Sequence, residues 1–317
     1  GRPLDVLGVG EISHDLVLQL PAPTALRAPL PDKLSAQALT TLGGGQVATA
    51  MVAARRLGLR AGLCGAVGED AAGRELLAEL AAEGVELGGV AVCAQAQTRL
   101  ALVLVDGHGD RRVLEWRHPR LQPRPDAPAA ADFGAVRAVH LDGTYPRASL
   151  RAARLAKAAG ALVSIDLDHA LDPRADPAGA LGEAVDPGVT AELVALADLC
   201  VVSARFPTEL TAEPDPDRAA LRLAAQTGGF VVVTRGEAGG VAVIDGALHA
   251  FHNECPHAGR RLDWAPGRFL IESRQLICAA HGAAFEIDTG HCIGGPCRGA
   301  GLKTIAITVV DGEVGIG

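Results

Sequence analysis

From Asp5 to about Thr234 the chain alternates two patterns. Short apolar runs bounded by glycine read as buried strands, and Ala-rich stretches with apolar residues every three or four positions read as helices. "DVLGVG" predicts a first strand, and "ALTTLGGGQVATAMVAARRLGL" a glycine-rich turn that opens a helix. The order then repeats: "AGLCGAVG" precedes the helix "AAGRELLAELAAEG", "AVHLDG" precedes "RASLRAARLAKAAG", "LVSIDLD" precedes "TAELVALA", and "LCVVSA" precedes "DRAALRLAAQTG" before a last strand, "FVVVT". Alternation of this kind predicts a mostly parallel sheet with helices on both faces. "TRLALVLVDGHGDRRVLEW" departs from it, with two period-two runs around Gly107 and Gly109 that predict the hairpin of a small β lid.

Beyond residue 240 the helical spacing stops. "VAVIDGALHAF" alternates on both sides of Asp245-Gly246, which predicts a tight hairpin. We expect "FVVVT" to complete the parallel sheet and the hairpin to pair chiefly with strands that follow it, joined through the loop Arg235 to Gly240. The predicted division is an α/β domain at 1–240 and a small all-β domain at 241–317.

Composition narrows the function classes. A chain of 317 residues that is 49 % hydrophobic can bury sizeable cores, and its length suggests about two domains. A formal net charge of -8 without basic clusters excludes a nucleic-acid or anionic-membrane surface, since either needs concentrated positive charge. No run approaches the roughly 20 apolar residues of a membrane span, and the start lacks a signal-peptide pattern, so the expected compartment is the cytoplasm. Seven cysteines, an odd number, then read as metal ligands or catalytic groups rather than a disulfide framework. Four of them and five of the ten histidines lie between residues 249 and 297.

Within that segment Cys255-x-His257 is followed, after twenty residues, by Cys278-x-x-His281. Two thiolates and two imidazoles on two loops suit either one tetrahedral zinc or a [2Fe–2S] cluster with cysteines on one iron and histidines on the other. Zinc knuckles generally pair two cysteines, whereas a Cys with a His on each loop lets each loop reach both irons. Cys292 and Cys297 read as plain buried thiols or as a pair that oxidises reversibly.

"CPHAG", "CAAHGAAF" and "DTGHCIGGP", with the flanking "VIDGALHAF" and "ITVVDGEVGIG", closely resemble a Rieske-type [2Fe–2S] domain. The resemblance implies that Cys255 and Cys278 hold one iron and His257 and His281 the other. It also implies that Gly259 and Gly282 admit backbone amides toward the sulfides, that Pro296 lies in the covering loop, and that a redox partner protein exchanges the electron.

The first part resembles the ribokinase-like (PfkB) carbohydrate kinases through "GGGQVATA" from Gly43, "GAVGEDAAG" from Gly65 and "VVVTRGEAGG" from Val231. That resemblance implies a ribokinase-like α/β fold with a β lid, through which a homodimer would form. It implies a small polyol or nucleotide held by Asp15, Gly43, Gly44 and Arg99, and ATP against Thr234, Gly236 and Gly239. Ala48 stands where the family carries asparagine, which leaves the substrate class unread. One departure weighs against phosphoryl transfer: the family's "GAGD" turn, which supplies an anion hole and a catalytic aspartate, occurs nowhere in the chain. The expectation is therefore an iron–sulfur electron-transfer protein with a kinase-like binding domain; the alternative is a carbohydrate kinase with an appended iron–sulfur module.

Overall fold

The computed structural model describes residues 4–124, 126–129, 136–167, 187–227, 229–235, 240–244, 247–264, 269–272, 275–310 and 313–316. It divides into two compact units, Gly1–Val163 with Pro173–Val189, and Ser164–Asp172 with Thr190–Gly317.

The first unit contains β1 (Val6–Val9), β2 (Ser13–Gln19), β3 (Ala38–Gly44), α1 (Gln46–Arg56), β4 (Ala61–Gly68), α2 (Ala71–Ala82), β5 (Glu86–Cys93), β6 (Arg99–Val105), β7 (Arg111–Trp116), β8 (Ala138–Leu141) and α3 (Pro146–Ala158). Strands β8, β1, β4 and β5 lie side by side and all parallel. Every residue of β4 is buried, as its unbroken apolar run requires. Val47 and Met51 of α1 meet Leu63, Val67, Leu76 and Leu80 in the core. The "GED" that precedes α2 has a structural reason: Asp70 is its N-cap, accepting from the Gly73 amide at 2.8 Å, and it also accepts from the Thr98 amide and hydroxyl at 2.8 and 2.6 Å.

The lid is a second sheet in the order β3-β2-β6-β7. Its β6–β7 hairpin is the one expected from the sequence. The pattern missed β3, because "ALTTLGG" read as a turn. Register assigns the faces, since paired residues share a face and successive residues alternate. Leu18 pairs with Leu39 and Leu104, and Leu16 with Thr41 and Leu102. Leu102 pairs in turn with Leu114, and Leu100 with Trp116, so one face is mostly apolar, with His14, Thr41 and Arg112 as its polar members. Ser13, Asp15, Gly44, Arg99 and Glu115 lie on the other.

The second unit continues from β9 (Leu162–Leu167) through α4 (Pro187–Leu196), β10 (Leu199–Ser203), α5 (Arg205–Thr211), α6 (Pro216–Ala224), β11 (Phe230–Thr234), β12 (Gly240–Ile244) and β13 (Ala247–Phe251). Strands β9, β10 and β11 are parallel, and β12 and β13 then add antiparallel. The hairpin therefore extends the sheet through β11, which corrects the expectation that it pairs chiefly with later strands. Alternation in "VAVID" fixes two faces but not the neighbouring strand.

After it come β14 (Leu270–Glu272), β15 (Gln275–Ile277), β16 (Ala284–Glu286) and β17 (Cys292–Gly294), an antiparallel meander, and the pair β18 (Ile307–Val310) and β19 (Glu313–Ile316). Ile271, Leu276 and Ile287 of this part pack on Val201, Val232 and Ala242 of the sheet. The cavity left along that contact is about 40 Å³ and apolar, lined by residues such as Val232, Phe251, Phe269 and Leu276. That is room for a water molecule or so, not for a ligand.

Candidate metal centre

The two Cys/His loops are closed in the same way. Cys255 donates its amide to the Arg260 carbonyl at 2.7 Å and receives the Gly259 amide on its own carbonyl at 2.9 Å. Cys278 repeats this with Ala283 at 2.7 Å and Gly282 at 2.8 Å. The closure needs a left-handed residue at the fifth position, and Gly259 (φ 62°) and Gly282 (φ 71°) supply it. Each loop thus begins with a cysteine rooted in the interior and carries its histidine at the tip. Cys255 and Cys278 are each 1 % exposed, in a core with Leu262, Ala283, Phe285, Cys292 and Leu302, whereas His257 and His281 are exposed.

The histidines converge. Their Nδ1 atoms are 3.2 Å apart, and the rings meet edge to face with centroids 4.8 Å apart. Two nitrogens bound tetrahedrally to one metal at about 2.1 Å would stand roughly 3.4 Å apart, so the pair is set for a shared ion. The cysteines form a second pair, Cys255 and Cys278 lying buried in one core. Burial pushes the Cys255 thiol up, and contact with Cys278 adds to that while the His257 amide opposes it. Such thiols give up their protons on metal uptake. Among the described residues no three His, Cys, Asp or Glu side chains converge on a single metal position. A buried pair of cysteines and an exposed, converging pair of histidines fit a two-iron cluster with unlike ligands on its two irons.

Cys292 and Cys297 sit beside this pair. Their sulfurs are 3.4 Å apart, and Cys297 packs against the core that holds Cys255. Burial first, and then the hydrogen bond with Cys292, pushes the Cys297 thiol up to about 12. Proximity of four cysteines was not legible in spacing alone.

In the first unit Asp15 and Gly44 come together: a Cβ on Gly44 would fall 2.2 Å from Asp15 Oδ2, so only glycine leaves the carboxylate its place. Ser13 donates to Asp15 Oδ1 at 2.6 Å. Gly43 faces the opposite way, toward Leu76 and Glu79 of α2. Arg99, 3 % exposed, is ion-paired with Glu11 and with Glu115, the latter at 2.7 Å. Asp142, fully buried, accepts from the Glu11 and Thr144 amides at 2.7 and 2.9 Å. Glu11, Glu115 and Asp142 escaped the sequence reading; the acidic residues that directly follow "GVG" and "VHL" were the available signal. Gln46, at the head of α1, has both ends of its amide buried without a hydrogen bond. In the second unit Thr234 ends β11 and donates to the Val202 carbonyl at 3.3 Å, while Gly236 and Gly239 lie outside the described residues.

A lidded, mostly parallel α/β fold joined to an antiparallel module with paired thiols and paired imidazoles defines a sugar-kinase-type domain carrying an iron–sulfur-type centre. The family model "pfkB family carbohydrate kinase" matches residues 6–257, and the model "Rieske [2Fe-2S] domain" matches residues 211–307. The chain belongs to the pfkB family and carries a Rieske domain, which implies a [2Fe–2S] cluster. It is 30 % identical over 164 residues to a nucleoside kinase of Methanothermobacter thermautotrophicus, covering 51 % of each chain. It is 31 % identical over 215 residues to a fructokinase of Klebsiella pneumoniae, covering 66 % of this chain and 68 % of that one. The chain thus spans about half the length of the first of these relatives. A solved Arabidopsis thaliana ribokinase, complexed with ribose and ATP, superposes with a TM-score of 0.60 at 19 % identity, covering 83 % of this chain and 81 % of that one. No helix among the described residues is long and apolar enough to cross a membrane.

Proposed function

We propose that the protein is an electron-transfer protein whose cluster is held by Cys255 and Cys278 on one iron and by His257 and His281 on the other. The observation that carries this is the 3.2 Å approach of two exposed Nδ1 atoms from loops rooted in buried cysteines. A bound cluster would supply a one-electron couple. The chain's own residues do the rest. The cysteines anchor the inner side in an apolar core, and the two imidazoles form the exposed exit toward a redox partner protein. The setting in this reading is the cytoplasm. Reduction of anaerobically purified protein by one electron per chain, with bleaching of its visible absorbance, supports the proposal; a colourless protein that takes up no electron refutes it.

The kinase-like part, residues 1–240, serves in this reading as a binding domain for a small polyol or nucleotide. Asp15, Gly44 and the orphaned amide of Gln46 surround one turn, and an unpartnered buried amide is costly unless a ligand completes it. Thr234 lies at the carboxyl end of a parallel strand, where nucleotides bind in open α/β sheets, which supports an ATP site there. The chain contains no "GAGD" to take an acceptor's proton. The second reading, a working carbohydrate kinase with an iron–sulfur module, is favoured by the kinase relatives. An ATP-consumption screen over sugars and nucleosides separates the two: sugar-dependent turnover at about 1 s⁻¹ or more establishes the kinase.

The lid offers a further surface. Leu39, Leu114 and Trp116 are 62 %, 54 % and 44 % exposed on its apolar face. A second copy of this chain, presenting the same face, is the proposed occupant.

A further inference from the structure

We infer that Cys292 and Cys297 form a dithiol/disulfide site, and that its oxidation state tunes the cluster through Cys297. The potential effect rests on the proposed cluster; formation of the disulfide does not.

The geometry is that of two thiols one short movement from a bond. Their sulfurs are 3.4 Å apart, and a disulfide needs about 2.05 Å, so the gap to close is about 1.4 Å. One partner is fixed. Cys292 is fully buried on β17, and its thiol donates to the Gly294 carbonyl at 3.1 Å. The other is free to approach. Cys297 lies in the segment Gly294–Gly299, which bends through Gly295 (φ 85°) and Gly299 (φ 92°) and is flanked by exposed Pro296 and Arg298. The segment is held as a loop at its base, where the Cys292 amide donates to Ala300 at 2.7 Å and the Gly299 amide to Cys292 at 2.9 Å. Closing the bond therefore moves a loop tip and leaves the strand in place.

The connection to the cluster is the core that Cys297 packs against, which holds Cys255, Cys278 and Cys292. A hydrogen bond donated to a ligand sulfur disperses its charge and favours the reduced cluster, which raises the potential. In the dithiol state the Cys297 S–H is the donor placed to supply one. In the disulfide state the S–H is gone, and the potential falls.

The co-reactant is a low-molecular-weight disulfide such as oxidised glutathione. Two thiols and one such disulfide give the Cys292–Cys297 bond and two free thiols. The S–S bond of the oxidant breaks, it takes up two electrons, and the two protons leave with its two sulfurs.

The test uses the full chain with its cluster loaded, equilibrated in glutathione buffers of graded ratio. Alkylation and peptide mapping read the thiols, and protein-film voltammetry reads the cluster. The expected result is a two-electron loss of two thiols, both mapped to Cys292 and Cys297, with a lower cluster potential in the oxidised form. Cys292→Ala keeps the Cys297 donor and removes the bond, so its potential should stay at the dithiol value in every buffer. Cys297 that remains fully alkylatable across the series overturns the site. A mapped disulfide with an unchanged potential overturns the tuning. Protein that maps the disulfide but binds no cluster fails the proposed function instead, and the two failures are told apart by iron content.

Discussion

Phe251, the last residue of β13, pairs with Gly240 of β12 on one side and bridges antiparallel to Thr304 on the other. The bridge is flanked by His252 donating to the Lys303 carbonyl at 2.9 Å and Ile305 donating to Ala250 at 2.8 Å. One strand therefore closes the α/β sheet and opens the cluster-bearing part. The strand lies within both family matches, which overlap over residues 211–257.

Ile287 tests how far the two parts are one folding unit. It is 5 % exposed and sits against Val232 and Ala242 of the sheet. Ile287→Ala should cost about 2–5 kcal/mol, the range for deleting a buried isoleucine side chain. Urea unfolding followed by hydrogen exchange should show β10 and β11 losing protection along with the meander. Loss confined to residues 270–294 would mean that the contact is only a docking surface.

Asp70 sets an acid limit for the first unit. Burial alone would raise its pKa, but hydrogen bonds from the Thr98 hydroxyl, the Thr98 amide and the Gly73 amide outweigh that and hold it below the ordinary value. A depressed carboxylate contributes stability that is fully present above its unfolded value, about 3.9, and lost as pH falls through the folded one. Asp70→Ala should cost about 1 kcal/mol at neutral pH as a lost helix cap. The cost should shrink below about pH 4, measured by denaturant melts of both proteins. A cost that stays constant down to pH 2 would assign Asp70 a packing role instead.

The lid predicts an assembly. Leu114→Arg places a charge on its apolar face, in the edge strand β7, on a side chain 54 % exposed in the monomer. Sedimentation equilibrium should show dimer for the natural chain and monomer for the variant, with unchanged circular dichroism. A natural chain that is monomeric at micromolar concentration would rule out this interface.

Legibility followed the range of the determining contacts. Helices and parallel strands were readable because their spacing is local, and the two Cys/His loops because each holds its ligands within four residues. The strand β3 was hidden by Gly43 and Gly44, whose small size serves close packing on α2 and on Asp15 rather than a turn. The neighbour of β12 was not encoded in its alternation. The ion-paired state of Arg99 and the packing of Cys297 into the core of Cys255 and Cys278 depend on chain segments brought together only by the fold.

The central claim is that paired cysteines and paired histidines hold two different irons. Iron, zinc and acid-labile sulfide analysis of anaerobically purified protein, with a Mössbauer spectrum of the reduced form, addresses it directly. The expected result is two irons and two sulfides per chain, with two inequivalent iron sites in equal amount, the ferrous one on His257 and His281. One zinc per chain without sulfide, or two irons with indistinguishable all-sulfur surroundings, would contradict it.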